Sequence, residues 1–460
     1  MVFNTSYIRF QKFSILLAMT CFLFYWSFAY DLVRTDYIKL IGLYIALFFL
    51  FYILIIRCKH NLKLLTWLAF SFRAVFILAI PNLSQDFYRF IWDGRMILEG
   101  FNPYLYTPES FITNGKIPVF QAQELYTGMG TLNASHYSNY PPLNQLCFAI
   151  AGLLAGKSIL GSAVVLRLII IAADFGTLYF GKKLLEKLKL PAHNIFWYIL
   201  NPFIIIELTG NLHFEGVMIF FLVLSLYLLY SEKWQLAAIA LACSVSIKLI
   251  PLIFLPLFYQ LFTKRDASTA LSMIKLIGFY LIVISTTIVL FLPFYSSQFI
   301  TNYTETVGLW FHNFEFNASL YYIAREIGYS ITGYNEIAII GTITAIIVFL
   351  FVVAMAFFRR NLPLVQLISA MLLALSFYYF TATTVHPWYI ATLLILSVFT
   401  KYKFPLVWSF VIILSYLAYL QIGKADKSEN LWVIALEYVV VYGFFIWEVW
   451  IKPKKLKLTS

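Results

Sequence analysis

A chain of 460 residues would divide into two or three domains if it were soluble, but 62% apolar residues, 12% charged residues and a mean hydropathy of +0.83 exclude that class. What remains is an integral membrane protein; its long apolar segments make it a helical bundle, and the short alternating segments of a β-barrel are not evident. The formal charge of +12 resides in short basic runs between apolar segments, the pattern of cytoplasmic anchors, so no nucleic-acid partner is expected.

The first three helices are expected at roughly Phe13 to Tyr30, Tyr37 to Ile56 and Leu64 to Ile80. The first follows Arg9 and Lys12 but ends without a small-residue cleavage site, so it reads as a retained span. Acidic DLVRTD follows it and basic RCKHNLK follows the second helix, which places the N-terminus in the cytoplasm and the segment after Ile80 outside. That segment, 81–142, is the longest polar stretch of the chain. Its aromatic content argues for short helices along the membrane surface rather than disorder.

Apolar segments continue at Leu143 to Ala155, Ile159 to Phe180, Asn194 to Leu208 and Val217 to Tyr230. Another, Leu236 to Phe262, is interrupted by Lys248, Pro251 and Pro256, and Leu271 to Leu292 follows. Sidedness stays open in this region. Lys182, Lys183, Lys187 and Lys189 lie in the cytoplasm only if the Leu143 segment does not cross and the Pro251 segment crosses twice; both solutions agree again by Lys264 and Arg265. A second outer loop, 295–335, then precedes a helix returning to Arg359 and Arg360, and the next helix ends outside at TTVHPWY. Lys401 and Lys403 face inward, and two more helices lead to a cytoplasmic KPKKLK tail. The reading is an all-α polytopic domain of about thirteen or fourteen spans, with both termini inside and the loops at Asp86, His312 and His386 on one face. Cys21, Cys58, Cys147 and Cys243 have no metal-ligand spacing and read as core residues.

Chemistry concentrates in SQDFYRFIWDGRMILEGFNPYLYTP, Ser84 to Pro108, where Asp86, Arg89, Asp93, Arg95 and Glu99 crowd into a few turns of chain. Asp93 stands before Gly94 and reads as a turn-former. Asp86, at the exit of a helix beside Tyr88, suits a general base. FNPYLYTP and NYPPL are rigid non-helical corners, since proline fixes its own φ and restricts the residue before it. Lys248 is an intramembrane cation, a costly feature that serves ligands or else snorkels to an interface. Arg167 and Asp174, seven positions apart on one helix, read as an intrabundle polar pair. His213 and Glu215 form a candidate acid–base pair, and Trp310, His312 and Glu315 stand in the second outer loop where an acceptor would pass.

The order S-x-D-x-Y-R-x-x-W-D-G, G-x-N-P-Y, Y-P-P-L resembles the bacterial GT-C glycosyltransferases, in particular the polyprenyl-phosphate-mannose-dependent α-mannosyltransferases. LNP at Leu200 to Pro202, NLHFE at Asn211 to Glu215, SIKLIPLIFLP at Ser246 to Pro256 and HPWY at His386 to Tyr389 resemble their later landmarks. The dolichyl-phosphate-glucose and GPI first-mannose transferases are similar in layout. This resemblance implies a GT-C fold, a polyprenyl-phosphate sugar donor entering from the lipid bilayer, and a glycan or glycolipid acceptor on the extracytoplasmic face of the cell membrane. It implies Asp86 as catalytic base, and the reading sets Tyr88, Arg89, Asp93, Lys248, His386 and Trp388 around the substrates; a single base suits an inverting transfer, while Asp93 and Glu99 leave a retaining double displacement open. No cofactor is expected, and Phe87 stands where some members carry a second acid, which weakens the case for an obligatory metal. A transporter or lipid flippase is the alternative class; broken helices suit it, but no inverted repeat is visible.

Overall fold

The structure, a computed structural model, describes residues 5–263, 269–421 and 429–452. Lys264, Arg265 and all but the first lysine of the KPKKLK tail lie outside the described residues. Among the described residues the protein is helical, with no strand and one isolated parallel bridge between Phe316 and Thr384.

Helix α1, Thr5–Trp26, runs into a π-helical turn, Ser27–Asp31, and α2 spans Tyr37–Cys58 behind an Asp36 cap that accepts from the Lys39 amide at 3.2 Å. Helix α3, Leu62–Val75, ends five residues before the expected Ile80. The carbonyls beyond it find side chains instead of helical amides: the Tyr30 hydroxyl donates to Val75 O at 2.8 Å and Arg167 donates to Ile77 O at 2.9 Å.

The segment 81–142 holds three short helices, α4 Asp86–Leu98, α5 Pro108–Thr113 and α6 Ala122–Ala134. Helices α7 Pro142–Ala155 and α8 Ile159–Lys187 follow. The apolar run after Pro191 is not one helix but α9 Phe196–Ile199, α10 Pro202–Ile204 and a π-helical stretch, Ile205–Gly210, because Pro202 cannot continue the helix before it. Asn201 caps the restart by accepting from the Phe203 amide at 2.9 Å. Helix α11, Glu215–Tyr230, leaves the π-helical stretch at 115°, and α12 Trp234–Val245 is followed by a break at Lys248. A 3-10 segment, Ile250–Phe258, then enters α13 Tyr259–Thr263, so the interruption falls at the expected lysine and prolines.

The second half comprises α14 Thr269–Phe291, α15 Ser297–His312 and α16 Leu320–Thr332, then α17 Ile337–Phe358 and α18 Leu364–Thr381. Helix α19 Ile390–Val398, helix α20 Phe404–Val411 and helix α21 Leu431–Ile446 complete it. Seven described helices are long and apolar enough to cross a bilayer, eight counting the bent pair at Gly210 and Glu215. Further apolar helices of 10–17 residues, among them α7 and α12, accompany them.

Candidate active site

Two hydrogen bonds tie the chain at either end of the segment 81–142 to the two broken spans. At its start, the Leu83 amide donates to Asn211 Oδ1 at 3.1 Å, so the chain entering Asp86 is tied to the break that carries His213 and Glu215. At its end, the Leu143 amide donates to Ser246 O at 3.0 Å, beside the break that carries Lys248. Midway, the Tyr104 hydroxyl donates to Tyr140 O at 2.6 Å, so the two proline corners meet. Asn302 of α15 donates to Tyr104 O at 3.0 Å and brings the segment 295–335 against the same corner.

Asp86 opens α4 and is half-buried. Its backbone amide donates to Ser84 Oγ at 3.3 Å, and its Oδ1 accepts from Asn133 Nδ2 at 3.2 Å. Burial raises its carboxyl above the ordinary aspartate range, against the opposing pull of the Asn133 hydrogen bond and the charges of Lys248 and Arg34. A carboxylate so placed is a stronger base than an exposed one.

Lys248 is the central cation. Its Nζ pairs with Glu215 Oε1 and stands 5.8 Å from the Tyr389 ring, and its charge reaches Asp86, His213 and His386. The imidazoles of His213 and His386 both stack on Trp388, with centroids at 3.7 and 4.6 Å. Burial, and then the Lys248 charge, push His386 down to about 3. It is therefore a neutral ring at physiological pH, able to donate from one nitrogen. Behind it, Glu207 lies 3.8 Å from His213 Nε2 and accepts from the Tyr416 hydroxyl with both oxygens at 2.9 Å. Arg167 fixes the bend, donating to Thr209 O at 2.8 Å and Gly210 O at 3.0 Å.

The fold thus gathers Asp86, Lys248, Glu215, His213, His386 and Trp388, and it puts Tyr88, Arg89 and Asp93 to another use. Asp93 and Gly94 lie inside α4 rather than in a turn. Arg89 Nε donates to Asp93 Oδ1 at 2.7 Å, and its Nη1 donates to the carbonyls of Asn133 at 2.6 Å and His136 at 2.9 Å. Asp93 also accepts from Ser138 at 2.6 Å and Gln145 at 3.0 Å. The Tyr88 ring covers Gly128 of α6 so closely that a Cβ there would stand 2.7 Å away. The expected pairing of Arg167 with Asp174 does not form; Arg73 takes Asp174 at 2.8 Å. The expected Glu315 site is occupied by Arg325 at 2.7 Å and the Tyr321 hydroxyl at 2.7 Å. His312 ends α15, and its side chain and that of Trp310 lie outside the described residues.

Asn133, Arg34, Glu207 and Tyr416 were not singled out from the sequence. Glu207 carried a signal, as a lone acid inside the apolar run FIIIELTG. Asn133 and Arg34 carried none, since polar residues in polar loops are ordinary. Among the described residues no three His, Cys, Asp or Glu side chains converge in metal-ligand geometry.

Fold and site define a polytopic helical membrane protein in which the segment 81–142 brings one carboxylate toward a cluster of a lysine, two histidines and a tryptophan. Residues 23–264 match the N-terminal domain of the alpha-(1->6)-mannopyranosyltransferase family, and the chain belongs to that family. The match takes in Asp86, His213, Glu215 and Lys248; His386 and Trp388 lie beyond it. The chain is also 23% identical over 190 residues to alpha-(1->6)-mannopyranosyltransferase A of Corynebacterium glutamicum, covering 39% of this chain. The match spans 35% of the length of that curated relative.

Proposed function

We propose that this protein is a membrane mannosyltransferase that moves mannose from a polyprenyl-phosphate donor to a glycan or lipid-linked acceptor, at the extracytoplasmic face, with inversion. The observation that carries the reading is the convergence of Lys248, Glu215 and the His213–Trp388–His386 stack at the broken spans, to which the Leu83–Asn211 bond ties the chain entering Asp86. In this mechanism Asp86 removes the proton of the attacking acceptor hydroxyl while the glycosidic bond to phosphate breaks. Lys248 and a hydrogen bond from neutral His386 stabilise the phosphate as its second charge develops, which is where fixed charge accelerates a transfer. Arg89 and Asp93 hold α4 against its neighbours and thereby aim Asp86. The linkage in the relative's name is α-(1->6); an inverting enzyme makes an α product only from a β-linked donor, so the donor proposed here is β-linked. The segments 81–142 and 295–335 serve as the outer catalytic loops of this single domain.

The test is Asp86→Asn in reconstituted vesicles supplied with labelled polyprenyl-phosphate mannose. Turnover is expected to fall by about two to four orders of magnitude, the range for losing general base catalysis, while donor binding persists. Near-normal transfer would remove Asp86 from the role, and flipping of the donor without transfer to any acceptor would replace the enzyme with a transporter.

A further inference from the structure

The Lys248–Glu215 pair poses a problem for anion binding. A lysine that is already neutralised by a buried carboxylate is a poor receptor for a phosphate, because the two anions compete for one cation. Glu215 is 2% exposed; its Oε1 holds Lys248, and its Oε2 is buried without a hydrogen-bond partner. Lys248 is the more accessible member, with 21% of its side chain exposed. The other charged groups facing Glu215 are Asp86 and Glu207, both acidic, and the neutral hydroxyls of Tyr140, Tyr198, Tyr379 and Tyr389. No second lysine is in that set to replace Lys248 if it moves.

From this geometry we propose that Glu215 is a positioning residue that holds Lys248 in the empty site, releases it to the phosphate of the arriving lipid, and takes a proton from solvent as it does so. This rests on the transferase reading above. The charges balance: the ligand brings one negative charge to the ammonium, and the proton cancels the charge left on the buried carboxylate. The unpartnered Oε2 is the atom free to receive it. When the lipid phosphate leaves, the proton returns to solvent and the pair re-forms, which favours product release over product retention.

The test uses the full-length protein in detergent and a short prenyl methyl phosphate, a diester whose single charge does not titrate near neutrality. Isothermal titration in buffers of different ionisation enthalpy is expected to show uptake of up to about one proton on binding by the wild type. Glu215→Gln is expected to abolish that uptake and tighten binding on the order of tenfold, since the competing charge is gone. Glu215→Asp should retain the uptake, which guards against a general packing effect. Lys248→Gln should weaken binding, and Glu215→Gln added to it should change nothing further. Proton uptake that survives Glu215→Gln, or affinity that stays the same or falls, overturns the inference while Lys248-dependent binding leaves the transferase reading standing. Binding indifferent to Lys248 overturns the reading itself.

Discussion

Asp86 carries a cost that can be measured apart from catalysis. A carboxyl with a folded-state pKa above its unfolded value favours the protonated folded form, so it subtracts stability as pH rises from the unfolded pKa through the folded one, and the penalty is full above that window. Asn at this position removes the penalty. Asp86→Asn is therefore expected to melt no lower than wild type at neutral pH, even as turnover is lost; a drop of many degrees in thermal unfolding would show that Asp86 holds the fold instead. The same shift predicts that transfer falls on the acid side with an apparent pKa above that of an ordinary aspartate, because the base works only when ionised. The sequence showed that carboxylate plainly, through its place at a helix exit in a charge-dense stretch. It did not show Asn133, which comes from the far end of the same segment, 81–142.

Helix α4 shows why neighbouring residues were read differently. Asp-Gly is a turn signal, yet Phe87, Phe90, Ile91 and Gly94 also follow the helical period and all are buried on one face. Gly94 is needed there for contact: a Cβ would lie 2.1 Å from Phe148 O of α7, a backbone atom that cannot step aside. Gly94→Ala should force α4 and α7 apart and cost about 1–3 kcal/mol, the range for overpacking. It should also lower kcat more than donor affinity, because α4 aims Asp86 while Lys248 sits elsewhere. Measuring both in the same vesicles separates a displaced helix from general instability. Tyr104→Phe, which removes only the bond to Tyr140 O, should cost about 1 kcal/mol in thermal unfolding.

Across the whole molecule, composition and hydropathy were sufficient for an all-α membrane bundle, and Lys248, Pro251 and Pro256 were sufficient for the break after α12, whereas the bend between Gly210 and Glu215 carries no proline to announce it. Long-range polar pairing was not legible, because period and spacing report on one helix at a time. Asp174 illustrates this. Its helix offers Arg167 two turns away, but Arg167 is drawn to the carbonyls left open at the bend, and Asp174 bonds Arg73 of α3 across 101 positions of sequence. Both partners are fully buried, and Arg73 additionally donates to Ala69 O at 3.0 Å and Ile199 O at 2.7 Å. Removing one partner leaves an uncompensated charge inside the bundle, so Asp174→Ala should destabilise by about 3–5 kcal/mol. Replacing both with apolar residues of similar volume, Arg73→Met with Asp174→Leu, should recover much of that loss. Intrinsic fluorescence during thermal unfolding in detergent reads both. If the double variant is as unstable as the single one, the pair is needed for the carbonyls that Arg73 caps at Ile199, immediately before the Pro202 break, and not for charge balance alone.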